Sequence, residues 1–420
     1  MNRYDVCVIG SGLAGVSTAL SLNKNLRVAL VTKKALEDSN SYLAQGGINI
    51  LKDPSDRETF IEDTLKAGHY KNTKASVEKM VDQSPEAIQF LIDLGVEFSK
   101  KNGQFDYGRE GGHSIARGLH IDDEVGKNIL DVLYKRLEER ENIDIFEHEE
   151  ALDLLVHKNK CYGVQTDRRI FYSTNVVLAT GGLGGLFDRS TNFSHIRGDG
   201  LAMALRHQVA IKDISYIQFH PTSLYEEEAD RQFLISESVR GEGALLLNHE
   251  DRRFIDELKP RDIVAQAIFK EMEREDVAYE YLSMEKIGKE KIPRRFPMIF
   301  QELMDRGVDP RASYVKIIPC QHYTMGGIAC DQYGRTSMEG LFAVGEAGNV
   351  GIHGSNRLAC NSLLECVVFG RLLGAYLNSH LLKAKDFPGL RLDFAPNPED
   401  DRREIFERIE EDEKIKAGAN

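Results

Sequence analysis

The 420-residue chain is 41% apolar and 29% charged, a mixture that suits two or three soluble globular domains. Its 54 basic and 67 acidic side chains give a formal charge of -13, which disfavours nucleic acid or an anionic membrane surface as partner. The six cysteines (Cys7, Cys161, Cys320, Cys330, Cys360, Cys366) include no CxxC pair, nothing resembles a signal peptide, and no apolar run approaches the roughly 20 residues of a membrane helix, so free thiols and a cytoplasmic location are expected.

YDVCVIGSGLAGVSTALSL (4–22) reads as a short buried strand, a glycine turn and a helix. Gly10, Gly12 and Gly15 have the G-x-G-x-x-G spacing, with Ser11, Leu13 and Ala14 between them. The first glycine permits the tight turn, the second lets a pyrophosphate approach the helix N-terminus, and the third allows close helix–strand packing. A glycine-rich βα turn without a ligand is the alternative. The second strand, LRVALVTKK (26–34), ends in Thr32, Lys33 and Lys34 rather than in the acid that would hold a ribose in a plain NAD site. Lys33 is either an adenosine contact or solvated. In NSYLAQGGINI (40–50), Ala44, Gln45, Gly46 and Gly47 form the kind of loop that lies against a flat ring, although turn chemistry explains the glycines equally well.

Helical spacing covers 55–95 and 124–140, the stretch 143–156 is strand-like, and 161–173 suggests a hairpin. Between them REGGHSIARGLHIDD (109–123) gathers ionisable residues among glycines and is read as a solvated loop or a site. VVLATGGLGGLF (176–187) is a second buried strand ending in glycines, and two such edges suit a dinucleotide as long as FAD. RGDGLAMALRHQVA (197–210) starts a helix near Asp199. From about 215 to 320 charged helices (262–290) and prolines mark an inserted domain; 341–377 then returns to a buried strand, glycines and a long apolar helix. The tail from 396 is charged, with Ile405, Phe406 and Ile409 as an apolar stripe.

GSGLAG (10–15), SYLAQGGI (41–48), REGGH (109–113), ATGG (179–182), QFHPT (218–222), ISESVRGEGA (235–244), PRDIV (260–264), HYTMGG (322–327) and VGEAGNVGIHGSNRLACNSLLE (344–365) occur in this order. Together they resemble the fumarate reductase/succinate dehydrogenase flavoprotein family over essentially residues 3 to 390. The resemblance implies an α/β fold: a Rossmann-like FAD-binding domain in two segments (1–214 and 324–393), an inserted α+β capping domain (215–323) and a short helical tail (394–420) where a larger C-terminal helical domain is usual. It places FAD along Gly10, Ser11, Gly12, Leu13, Ala14, Gly15, Lys33, Asn40, Ser41, Ala44, Gln45, Gly46, Gly47, Ala151, Thr180, Gly181, Asp199, Glu346, Ser362 and Leu363. Members with covalent FAD carry a histidine five residues before the Gln of AQGG; here that residue is Asn40, so non-covalent FAD is expected.

Within the family the likeness is greatest to members that oxidise L-aspartate to iminoaspartate, the first step of NAD biosynthesis, with reoxidation by O2 or fumarate. For them the resemblance implies hydride transfer from Cα to flavin N5 and a transient hand-off of iminoaspartate to quinolinate synthase. Glu110 would meet the substrate ammonium, and Arg357, His220, Ser236 and His322 the carboxylates. Arg261 would handle a proton, relayed through Glu237 and Arg240, because an arginine is a poor base by itself. Ser236 stands where the family usually has threonine. A soluble fumarate reductase or succinate-type oxidoreductase is the alternative, and a vestigial flavin-binding subunit is disfavoured by the intact Arg261, His220, His322 and Arg357. Taken singly, His220 and His322 read as packed residues, Arg261 as a partner for Asp262, and Ser236 as a helix cap. No closed ligand set points to a metal or a nucleophilic triad.

Overall fold

The computed structural model describes residues 2–383, 387, 389–392 and 396–418; the domain boundary expected at 393 and 394 lies outside them. Strand β1 (Val6–Ile9) is wholly buried and passes through the glycine turn into helix α1 (Leu13–Ser21), and β2 (Val28–Val31) is equally buried. Runs this short and this apolar cross a parallel sheet covered on both faces. The helical stretch 55–95 is two helices, α2 (Arg57–Ala67) and α3 (Lys74–Asp93), and α4 (Val125–Glu138) follows.

The strand expected over 143–156 is two strands. β3 (Ile143–Phe146) belongs to the parallel sheet, and β4 (Ala151–His157) starts an antiparallel one with β5 (Lys160–Thr166) and β6 (Ile170–Tyr172). The break falls at His148, whose φ of 54° turns the chain. After β7 (Val176–Leu178) and α5 (Asp199–Arg206) comes the inserted unit: β8 (Ile217–Leu224), α6 (Glu237–Gly241), β9 (Leu245–Leu247), α7 (Arg261–Glu275), β10 (Glu280–Ser283), α8 (Lys291–Arg295), α9 (Pro297–Asp305) and β11 (Val315–Thr324). Charged helix was expected throughout 262–290, yet β10 is a strand. Asp276, with a φ of 54°, ends α7 in the left-handed conformation and frees the next residues to pair. The chain returns through β12 (Leu341–Ala343) to α10 (Asn361–His380) and α11 (Pro398–Gly418).

The central sheet has the order β12-β7-β1-β2-β3, all parallel, and β12 pairs with β7 from beyond the insertion. This is the two-segment Rossmann-like domain expected from the sequence. One face packs on α1, α3, α4 and α10; the other packs on the β4–β6 sheet, α5 and the Ile405 and Ile409 stripe of α11. The insertion forms its own antiparallel sheet, β8-β11-β10-β9, over a separate core that includes Ile235, Val264, Ile268, Phe296 and Ile317. Helices α1 and α10 cross closely because Gly370 and Gly374 carry no side chain; a Cβ on them would come within 2.8 Å of Ala14 O and 2.6 Å of Ser21 Cβ. That crossing brings the N-termini of both helices to one cavity. All six cysteines are free, and no helix among the described residues is long and apolar enough to cross a membrane.

Candidate active site

The cavity runs from the β1–α1 turn to the face of the inserted unit and encloses about 1620 Å³, solvent at its mouth included. At one end Gly10 has a φ of +119°, and a Cβ there would lie 2.1 Å from Ala179 O in the loop after β7. Only glycine fits that turn. Gly12 caps α1 with no side chain, so the first-turn N–H groups face the cavity, and Ser41 Oγ accepts from Leu13 N at 3.2 Å. Two buried oxygens in the wall, Gln45 Oε1 and Thr180 Oγ1, have no partner. Unpaired buried acceptors cost stability unless a ligand satisfies them. Gln45 holds its place by donating from Nε2 to Leu234 O at 2.8 Å. Lys33 is tied to Asp199 at 2.5 Å, with Glu150 at 3.8 Å.

The opposite end is cationic. Arg357 and Arg261 share one acceptor: Gln218 Oε1 lies 3.3 Å from Arg357 Nε and 3.0 Å from Arg261 NH1. The guanidinium of Arg357 also lies over the Tyr323 ring at 4.4 Å and donates to Ser362 Oγ at the start of α10. Burial, then the charge of Arg261, lowers the Arg357 pKa to about 10. Arg261 opens α7 and donates from Nε to Glu237 Oε2 at 2.6 Å, so its partner is Glu237; Asp262 pairs with His69 instead. Arg240 lies 3.6 Å from the same Glu237 oxygen and donates to Glu257 O.

Both histidines stand where the cap sheet is irregular. Pairing slips between His220 and Ser223 on β8, across Pro221, and β11 bulges at His322, where Gln218–Tyr323 pairing gives way to Phe219–Gln321. Bulges of this kind re-aim side chains. His220 Nδ1 accepts from Thr222 N at 3.2 Å, so its proton sits on Nε2, and Thr191 Oγ1 holds His322 Nδ1 at 2.7 Å. The two rings lie 5.1 Å apart. Burial, followed by the nearby guanidinium groups, holds both imidazoles well below their usual pKa, so they are neutral at pH 7.

Glu110 is a buried acid lining the same cavity, and among the described residues it pairs with no cation. Ser238 Oγ donates to Glu110 Oε1 at 2.5 Å, and Ser236, which caps α6, lies 3.0 Å from Ser238 through its own Oγ. Burial, then the Glu237 charge, pushes the Glu110 carboxyl up to about 7. Burial also disfavours the Glu237 charge, but Arg261 and Arg240 outweigh it and leave that carboxyl below the usual range. The Glu110 loop is anchored from below. Arg117 is fully buried between Asp56 (2.9 Å) and Asp63 (2.6 Å), Asp63 accepts from Ser114, and His113 Nε2 meets Ala359 O at 3.1 Å. Glu346 is buried and raised to about 7 by burial, although it accepts from Thr324 N at 2.9 Å.

Of the residues singled out from the sequence, all but three line this cavity. Gly15 is set back, and its missing Cβ makes room for Gly10 O, 2.2 Å from where the atom would stand. Leu13 is buried in the core, and Arg240 lies behind Glu237. Gln218, Thr191, Tyr323 and Cys360 also belong to the site, through their contacts with Arg261, Arg357 and His322 and the start of α10. Cys360 is the cap of α10, in the left-handed conformation with φ 63°. For Gln218 a signal existed: it stands two residues before His220 on a strand. No group of His, Cys, Asp and Glu among the described residues could hold a metal ion.

A glycine cradle at a helix N-terminus, unpartnered acceptors along a cleft, and a cluster of cations at its far end define an FAD-dependent oxidoreductase. The FAD binding domain family model matches residues 5–363. L-aspartate oxidase of Clostridium acetobutylicum is 44% identical over 382 residues, covering 90% of this chain and 88% of that protein, and L-aspartate oxidase of Nostoc sp. is 40% identical over 410 residues, covering 93% and 70%. The chain belongs to the L-aspartate oxidase family, within the FAD-binding flavoproteins related to fumarate reductase and succinate dehydrogenase. E. coli quinol fumarate reductase FrdA superposes with a TM-score of 0.86 at 30% identity, over 97% of this chain and 74% of that one.

Proposed function

We propose that the protein oxidises L-aspartate to iminoaspartate with non-covalent FAD. The observation that carries this reading is Glu110, a buried acid beside Arg261 and Arg357 that, unlike Glu237, pairs with no cation among the described residues. A plain dicarboxylate offers such an acid nothing but repulsion, whereas the ammonium of aspartate gives it a partner. The cavity suits FAD in its glycine turn, its two unpartnered oxygens and its volume. The ADP moiety would lie against Gly10–Ala14, Lys33, Ala151, Thr180, Gly181 and Asp199, and the ring against Asn40–Gly47, Glu346, Ser362 and Leu363. Asn40 offers an amide where a covalent link needs an imidazole. When bound, FAD supplies the hydride acceptor, and the protein's part is position and charge.

Arg357 presents a planar fork to one carboxylate, and neutral His220 and His322 with Ser236 donate to the carboxylates without adding charge. Gln218 keeps the two guanidinium groups together at the substrate despite their repulsion. Glu110 orients the ammonium and, with its carboxyl pushed up to about 7, is suited to take the proton that must leave nitrogen before its lone pair can assist at Cα. Arg261 donates to Glu237, a two-residue path for a proton at the neighbouring carbon, and Arg240 stands 3.6 Å behind Glu237, beyond hydrogen-bond distance. That path also suits reduction of fumarate at the same site, in keeping with the likeness to fumarate reductase. Anaerobic mixing of the purified yellow protein with L-aspartate, succinate and fumarate tests the reading: bleaching by L-aspartate supports it, and bleaching by succinate alone rejects it. We infer further that iminoaspartate, which hydrolyses in water, passes to a consuming enzyme of the quinolinate synthase type.

A further inference from the structure

A second cleft reaches the same site from another direction. It opens between α2 and the 109–114 loop on one side and residues 258–261 on the other; Glu110, Glu237, Arg261 and Arg357 are wall residues of both cavities. FAD lying along the first cavity, the reading on which this inference rests, leaves the second as the approach to the substrate end. Its inner end is kept open by a missing side chain: a Cβ on Gly111 would stand 2.2 Å from Glu237 Oε1.

The charges along this cleft are sorted by depth. Asp63, Glu110 and Glu237 lie buried at its inner end, and Asp63 and Glu237 are already committed to Arg117 and Arg261. Lys66, Arg109 and Lys259 are exposed on its walls, and among the described residues none of the three forms an ion pair. Among the described residues no exposed acid lines the cleft beside them, although the chain carries a formal charge of -13. Low-dielectric walls concentrate such a field along the cleft and raise the local concentration of anions. We propose that this second cleft is the entrance for the anionic dicarboxylate and that Lys66, Arg109 and Lys259 draw it in.

The test uses the FAD-loaded enzyme with Lys66→Glu and Lys259→Glu combined, and Lys24→Glu with Lys101→Glu as a control of equal charge change that lines neither cavity. At low ionic strength the first pair should lower kcat/KM for L-aspartate roughly tenfold. At about 0.5 M salt the deficit should shrink to within about twofold. The limiting rate of flavin reduction at saturating aspartate should stay at the wild-type value, and the control pair should match wild type throughout. The neutral pair Lys66→Gln and Lys259→Gln should give an intermediate, roughly threefold loss, and serves alone if the reversals reduce FAD content. An unchanged kcat/KM at low salt overturns the entrance, as does a loss that is insensitive to salt or appears in the limiting rate. Because the limiting rate is read separately, those results leave the oxidase reading standing; absence of reduction by aspartate in the wild type sinks that reading, and the entrance with it.

Discussion

Replacing Glu110 by glutamine changes one charge and little else. The amide keeps an oxygen to accept from Ser238 Oγ, so the loop and its anchor at Asp63 are undisturbed. On the proposed reading, what is lost is the pairing of a buried carboxylate with the substrate ammonium. Breaking a buried ion pair costs about 3 kcal/mol, or roughly a hundredfold in kcat/KM for L-aspartate. Fumarate carries no ammonium, and its reduction should stay within about threefold of wild type. Steady-state oxidation of L-aspartate and reduction of fumarate, measured on the same preparation, read both numbers. The pH dependence gives a second check. Because the Glu110 carboxyl is pushed up to about 7 in the free protein, kcat/KM for aspartate should rise with pH towards that value and then level. Glu110→Gln should lack that limb. The linked stability has the opposite sense: a carboxyl raised on folding favours the fold below the ordinary carboxylate range, and this is lost as pH rises through about 7. The variant should therefore gain Tm relative to wild type between about pH 5 and about pH 8. Equal losses for aspartate and fumarate, or full aspartate turnover without Glu110, would contradict the ammonium role.

Gln218→Leu removes the acceptor shared by Arg261 and Arg357 and should lower kcat/KM by about tenfold to a hundredfold, the effect of stranding buried polar groups worth about 1–3 kcal/mol, with Tm falling modestly; unaltered kinetics would show that the guanidinium groups hold their places without it. Arg117→Met leaves Asp56 and Asp63 without their buried cation and should cost about 3–5 kcal/mol in denaturant unfolding, a stable variant arguing that the network carries little. Gly10→Ala places a methyl 2.1 Å from Ala179 O, so the purified protein should lack the flavin absorbance near neutral pH; normal flavin content would place the cofactor elsewhere. Acid precipitation should release all the flavin into the supernatant, and colour kept in the pellet would contradict the part given to Asn40.

Much of the fold was legible because it rests on local signals. Val6 to Ile9 are apolar on both faces, the glycine turn follows at once, and the same grammar recurs at 176–182 and 341–348. The strand at 280–283 was missed because its neighbours are charged and helical, and the left-handed Asp276 that separates them carries no unique sequence mark. Most of the candidate residues picked out by the long motifs line one cavity in the structure. What the sequence withheld is how they support one another. Gln218 bridges two arginines that are far apart in the chain, Thr191 holds His322 from a loop, and Arg117 joins two acids of α2 and the turn before it. The cations of the second cleft, at 66, 109 and 259, are scattered along the chain and meet only in the fold.

Anaerobic titration of the purified flavoprotein with L-aspartate, followed at the flavin absorbance band, bears on the whole account. Stoichiometric bleaching by L-aspartate, with reoxidation by oxygen or fumarate and no bleaching by succinate, is the expected result. A flavin that stays oxidised in L-aspartate but is reduced by succinate would mean that Glu110 does not select an amino acid and that the assigned reaction is wrong.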